Sequence, residues 1–139
     1  MVQETNALGN STLFSYDGVG NLIENQKPDG AVIQHSYDNR NRLLSTQYPD
    51  GTSKTFGYDN VGHMTNFANG ETEETREFDA VGRLLSTSDM YNGQIRYEYD
   101  ILGNRTKVTD PDKGVMTSAY DAKNRVVTFT DPEGGRNNL

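Results

Sequence analysis

Cysteine and tryptophan are absent from the chain. Without cysteine there are no disulfides and no thiolate metal sites, which removes the stapled mini-domain and the zinc ribbon and leaves the compartment open. Long apolar runs are missing as well. No stretch approaches the roughly 18 apolar residues of a membrane-spanning helix, and no charged-then-apolar leader opens the chain. A Met1 without such a leader is expected to begin a segment excised from a longer protein. Apolar residues are scarce overall, at 32% against about 45–50% on a count that includes glycine; adding the 14 glycines still leaves the total low. Basic residues are few and scattered. Thirteen Lys and Arg face 20 acids, for a net charge of −7 and a pI near 4.7. A nucleic-acid surface needs clustered cations to replace counterions, so that class is excluded. Low hydrophobicity with net charge is also the signature of disorder, and only the pattern of the residues present can decide against it.

That pattern is Tyr-Asp. It occurs as Tyr16-Asp17, Tyr37-Asp38, Tyr58-Asp59, Tyr99-Asp100 and Tyr120-Asp121, with Phe78-Asp79 in the remaining slot. The aromatic residues are spaced by 21, 21, 20, 21 and 21 residues. A disordered tract has no reason to keep phase in this way. The chain is one short unit written six times, and such a period governs the whole fold. Residues 1–15 read as the tail of a preceding unit, with Gly9-Asn10 at its turn, and residues 1–139 as a single repeat array.

Each unit contains two reversals. The first follows the aromatic: Asp17, Asp38, Asp59, Asp79, Asp100 and Asp121 lead turns whose later residue is Gly20, Asn41, Gly62, Gly82, Gly103 or Asn124. Only Gly and Asn occupy that position, and these enter the left-handed region most cheaply. Aspartate favours the first position of a type I turn because its carboxylate accepts local N–H bonds. A type I turn followed by a left-handed residue is a common hairpin closure, usually with a bulge. The second reversal uses Pro28-Asp29-Gly30, Pro49-Asp50-Gly51, Asn69-Gly70, Asn92-Gly93, Pro111-Asp112-Lys113-Gly114 and Pro132-Glu133-Gly134-Gly135. Asp-Gly and Asn-Gly between strand-like runs are strong hairpin signals. The sixth copy reaches Leu139 without its second strand.

The intervening segments alternate with period two. Ile95, Tyr97 and Tyr99 share one face, with Gln94, Arg96 and Glu98 on the other; Phe56 with Tyr58, and Val127 with Phe129, do the same. No segment has helical spacing free of Gly or Pro. The expected fold is all-β: tandem 21-residue β-hairpin repeats, two strands of about five to seven residues each, forming a curved or spiralling antiparallel strip. Arg105 stands where Leu22, Leu43 and Leu84 stand in other copies, so its side chain is expected near a rim or in solvent.

The recurring Tyr-Asp-x-x-Gly-(Asn/Arg)-Leu, with Pro-Asp-Gly or Asp-Pro-x-Gly before the next Tyr-Asp, resembles the YD repeat of RHS proteins over about residues 10–139. The resemblance implies a hairpin strip that spirals into a hollow shell. It also implies the settings of bacterial polymorphic toxins, the C component of insecticidal toxin complexes and the animal teneurins. In the toxins the shell encloses a C-terminal toxic domain; in teneurins it is an adhesion scaffold, and YD repeats have also been linked to carbohydrate binding. Six repeats are far fewer than a closed shell needs. Asp131-Pro132-Glu133-Gly134 looks like a piece of the self-cleaving region that ends many such shells, but it lies in phase with Asp110-Pro111 and reads as an ordinary turn.

Catalytic and ligand chemistry finds little purchase. Carboxylate pairs in hydrolases need environments that split their pKa values, and equivalent turn aspartates lack that asymmetry. His35 and His63 fall at different repeat phases, and a lone pair makes a poor metal site. Asp110-Pro111-Asp112-Lys113-Gly114 lacks the later ligands of a calcium loop. The glycine turns precede no helix that could hold a phosphate. The expectation is therefore no enzyme, no cofactor and no metal. The residues that matter are the aromatics, the aspartates and the left-handed residues of the six turns. Their expected role is structural: a segment of an RHS-type shell that encloses or displays a toxin or effector within a large secreted or cell-surface bacterial protein. Two rival readings stand beside it: a glycan-binding adhesion module using its tyrosines, and a self-assembling β-repeat that stacks through open sheet ends. The expected partners are neighbouring repeats or further copies through sheet edges, an enclosed toxin domain and glycans, with no nucleic acid and no membrane span.

Overall fold

The computed structural model describes residues 1–138, with side chains described through Gly135. Strands and turns make up the described chain. The strands are β1 (Val2–Thr5), β2 (Ser11–Tyr16), β3 (Leu22–Gln26), β4 (Val32–Tyr37), β5 (Leu43–Gln47), β6 (Ser53–Tyr58), β7 (Met64–Ala68), β8 (Glu73–Phe78), β9 (Leu84–Asp89), β10 (Gly93–Tyr99), β11 (Arg105–Thr109), β12 (Val115–Tyr120), β13 (Val126–Thr130) and β14 (Arg136–Asn138). The chain divides into two compact units, Met1–Glu73 and Glu74–Leu139. Within each unit every strand pairs antiparallel with the next in sequence, β1 through β7 in the first and β8 through β14 in the second. The all-β hairpin fold read from the sequence is the fold observed. Residues 1–15 form a full hairpin, and the sixth copy does carry a second strand, the three-residue β14, contrary to expectation; Leu139 lies outside the described residues.

Left-handed backbone marks both kinds of turn. All six residues singled out after the aromatics have positive φ, Asn41 at 61° and Asn124 at 59° among them. The opposite edge matches at Gly30, Gly51, Gly70, Gly93 and Gly134 but departs in the fifth copy, where Lys113 takes φ 69° and Gly114 does not. Gly114 is needed for a different reason. A Cβ there would lie 2.4 Å from Asp110 Oδ2, and the Gly114 N–H donates to Asp110 Oδ1 at 2.7 Å. The close carboxylate claims the glycine, and the strain falls on lysine.

Register slips once in every Tyr-Asp hairpin, between the aromatic and the residue before it. Tyr37 opposes Leu43 while Ser36 opposes Ser45, so Leu44 is the extra residue. Ile23 and Leu85 hold the same place, and all three are exposed. A bulge of this kind sharpens local twist. The second-turn hairpins run in continuous register.

Among the described residues no hydrophobic side chain is fully buried; the two buried ones are Thr46 (5% exposed) and Ser86 (4%). The strips nevertheless have unlike faces. In the first unit the cross-strand partners Glu24 and Gln34, Gln34 and Gln47, and Ser36 and Ser45 make one face polar. The other face carries Phe56 opposite Phe67, ring centroids 5.5 Å apart. In the second unit Glu77, Ser86, Arg96 and Thr109 run across one face, and Tyr97, Val108 and Met116 across the other. Cross-strand pairs of these kinds contribute roughly 0.2–1 kcal/mol each.

Candidate functional site: the Tyr-Asp turns

The aspartate of each repeat organises its turn through both oxygens. In the first copy Asp17 Oδ1 accepts the N–H groups of Val19 (3.0 Å) and Asn21 (2.8 Å). Asp38 does the same for Arg40 and Arg42, Asp59 for Val61 and His63, Asp79 for Val81 and Arg83, Asp100 for Leu102 and Asn104, and Asp121 for Lys123 and Arg125. The main chain closes beneath, with Asn41 N–H donating to Asp38 C=O at 3.1 Å and Asp38 N–H to Arg42 C=O at 2.9 Å. Backbone donors that a tight turn would otherwise leave unpaired are thus used.

The second oxygen reaches a side chain four residues on. Asn21 and Asn104 give an amide, Arg42, Arg83 and Arg125 give Nε, and His63 gives Nδ1 at 2.8 Å. This donor, always directly after the left-handed residue, had no role in the sequence reading. Its signal was there, since the position holds only Asn, Arg or His. All six aspartates are held below the usual carboxylate range. For Asp17 and Asp100 the largest cause is the asparagine amide. For Asp38, Asp79 and Asp121 it is the backbone N–H of the following arginine. At Asp59 desolvation is largest and raises the pKa, but the bonds from His63 and the backbone outweigh it.

The aromatic residues reach backward. Tyr37 Oη donates to Leu22 C=O at 3.0 Å, Tyr99 to Leu84 C=O at 2.8 Å and Tyr120 to Arg105 C=O at 3.0 Å, each spanning 15 residues. Because the acceptor is main chain, arginine can replace leucine at position 105 without loss of the latch. The Arg105 side chain is exposed, with its guanidinium 5.6 Å from the Tyr97 ring centre. Tyr58 and Tyr99 carry the guanidinium groups of Arg42 and Arg83 over their rings at 4.7 and 4.9 Å. Tyr16 is exposed, and Phe78 is half-buried in β8.

The two histidines do not share a partner: His35 Nδ1 lies 3.0 Å from Thr46 Oγ1, and His63 serves the Asp59 turn. Among the described residues no three His, Asp or Glu side chains are grouped to hold a metal, and no helix is long and apolar enough to cross a membrane.

Residues 78–115 match the RHS repeat family model, and no curated protein sequence matches the chain. Among solved structures, similarity extends to crystal structures of TcdB2-TccC3 with Cdc42 and with TEV, at TM-scores of 0.59 and 0.56 and identities of 18% and 19%, covering 87% of this chain. A structure of the Photorhabdus luminescens Tc holotoxin pore matches at a TM-score of 0.58 and 19% identity over 88% of this chain. The chain spans about 7% of the length of these proteins. The stretch 78–115 therefore carries the RHS repeat, and the hairpin fold of the chain, with its six bracketed aspartates and aromatic latches, is similar to that of a small part of these toxin-complex structures.

Proposed function

We propose that the chain is a stretch of wall from an RHS-type shell that encloses or displays a toxin or effector, within a large secreted or cell-surface bacterial protein. In this reading residues 1–139 are one repeat array, and the six aromatics, aspartates and left-handed residues are its structural elements rather than a reactive centre. The observation that carries the proposal is the build of the strips. The turns are bonded alike from copy to copy, while no hydrophobic side chain among the described residues is buried. Such a strip is suited to make a surface, and its apolar face then has an enclosed polypeptide to meet. The similarity to a small part of the much longer TcdB2-TccC3 chains supports the same reading. The test is the intact mass of the native gene product together with limited proteolysis. A product several times longer than this chain, with a C-terminal portion resistant to protease until the shell is opened, is the expected result. A native product near 15.5 kDa overturns it, because so short a run of hairpins cannot close around a domain.

One observation favours glycan binding as a second reading. A shallow depression in the first unit is lined by Ser15, Glu24, Gln34, Ser36, Ser45 and Gln47 together with Ile23 and His35, so that hydroxyl, amide and carboxylate groups suited to sugar hydroxyls predominate. Saturable binding of an oligosaccharide, abolished by Gln34→Ala with Gln47→Ala, supports this reading; an unchanged affinity in the double variant removes it.

A further inference from the structure

The Tyr-Asp turns differ at two adjacent positions, the left-handed residue and the donor after it. These read Gly20-Asn21 and Asn41-Arg42 in the first two copies, and Gly103-Asn104 and Asn124-Arg125 in the last two. The donor of one turn also reaches the turn of the next repeat, in one of two ways. Asn21 Nδ2 donates to Asn41 Oδ1 at 3.0 Å, and Asn104 Nδ2 to Asn124 Oδ1 at 3.1 Å. Arg42 Nη1 instead donates to Asp59 C=O at 2.7 Å, and Arg83 Nη1 to Asp100 C=O at 3.0 Å.

The choice follows the next left-handed residue. Each asparagine donor faces a turn whose left-handed residue is Asn, and each arginine donor faces a turn where it is Gly, Gly62 or Gly103. All four junctions internal to the two units obey this. The physical reason is reach. A short amide meets an acceptor only if the neighbouring turn holds one out, and left-handed asparagine does so. A guanidinium spans the gap to main chain, so its neighbour needs no side chain, and its plane covers the next tyrosine ring as well. Asparagine is also the less favourable occupant of left-handed backbone. Its presence at positions 41 and 124, where glycine would be easier, is accounted for by the bond its carbonyl accepts.

We propose that these two positions form a pairwise neighbour code, by which each repeat specifies the repeat that docks on it. A repeat ending its turn in Asn takes a neighbour opening with left-handed Asn; a repeat ending in Arg takes one opening with Gly. The partner selected is another repeat of this chemistry. The code rests on the junction geometry alone and stands whether or not the strip encloses anything.

The test is a double-mutant cycle in the full chain, read as urea midpoints. Gly103→Asn alone lowers the midpoint, because it strains the turn and leaves Arg83 in place. Beside Arg83→Asn the same substitution raises it, recreating the Asn21–Asn41 arrangement, with a coupling of roughly two- to tenfold in the folding equilibrium constant. Beside Arg42→Asn, which serves a different turn, its effect is additive. In the double variant the new side-chain amide at position 83 exchanges its protons more slowly than in Arg83→Asn. Equal midpoint shifts for Gly103→Asn in all backgrounds, with unchanged amide exchange, overturn the code. If Arg83→Asn leaves the chain unfolded, the converse pair decides. Asn124→Gly costs stability in the parent and is neutral or favourable beside Asn104→Arg, whereas equal costs in both overturn the proposal.

Discussion

Gly82 sits three residues after Asp79, and its N–H donates to the Asp79 carbonyl at 3.0 Å with φ at 86°. A β-branched side chain has no easy place at that φ. Gly82→Val is expected to cost about 1–3 kcal/mol, the usual cost of a strained left-handed residue. Asp89→Ala, which removes a carboxylate accepting the N–H groups of Tyr91 and Asn92, is expected to cost about 0.5–1.5 kcal/mol, as hydrogen bonds that water can replace do. Paired thermal melts check the order, and equal shifts refute the turn assignment. Tyr99→Phe removes one hydroxyl bonded to Leu84 C=O and keeps the ring beneath Arg83. It should lower stability by about 0.5–1.5 kcal/mol, in line with the phenylalanine already present at position 78. A change above that range in denaturant unfolding would mean that the hydroxyl does more than latch the main chain.

The turn is the smallest element that behaves as a unit, and its aspartate gives it a pH dependence. The folded pKa values of Asp17, Asp38, Asp59, Asp79, Asp100 and Asp121 lie below the unfolded value of 3.8. The unfolded chain therefore takes up protons first as pH falls. The stabilisation is complete above about pH 4 and is lost as pH drops through the lowered folded values. Urea midpoints should be flat from neutral pH to about pH 5 and fall steeply below about pH 4. A midpoint that already drops between pH 6 and 7 would refute the assignment to these aspartates.

These elements also show what the sequence discloses and what it withholds. Aspartate and the left-handed Gly or Asn were legible because each answers to its own backbone, and the aromatic because it recurs in phase, although its latch 15 residues upstream was not. The donor at Asn21, Arg42, Arg83 or Asn104 was visible as a pattern, but its partners lie on its own aspartate and on the next repeat, and only register brings those together. The bulges at Ile23, Leu44 and Leu85 were hidden for the same reason, since two consecutive apolar residues look like any strand. Lys113 was missed because lysine carries no left-handed preference; the neighbouring carboxylate of Asp110 decides the turn.

Within each unit the interactions across the described residues are short-ranged: strands pair with their sequence neighbours and turns bond to the turns beside them. Stability in such a chain accumulates repeat by repeat. The absence of buried hydrophobic side chains among the described residues also has a thermal consequence. Unfolding exposes less new apolar surface than in a cored domain, and it is apolar hydration that makes the heat capacity rise. Calorimetry should find a heat-capacity increment per residue below the usual range of about 12–15 cal/mol/K. The enthalpy of unfolding then varies little with temperature, and the stability curve becomes a shallow arc instead of a dome. A strip of such repeats would keep nearly the same stability across a wide span of temperature, and cold unfolding would lie far out of reach.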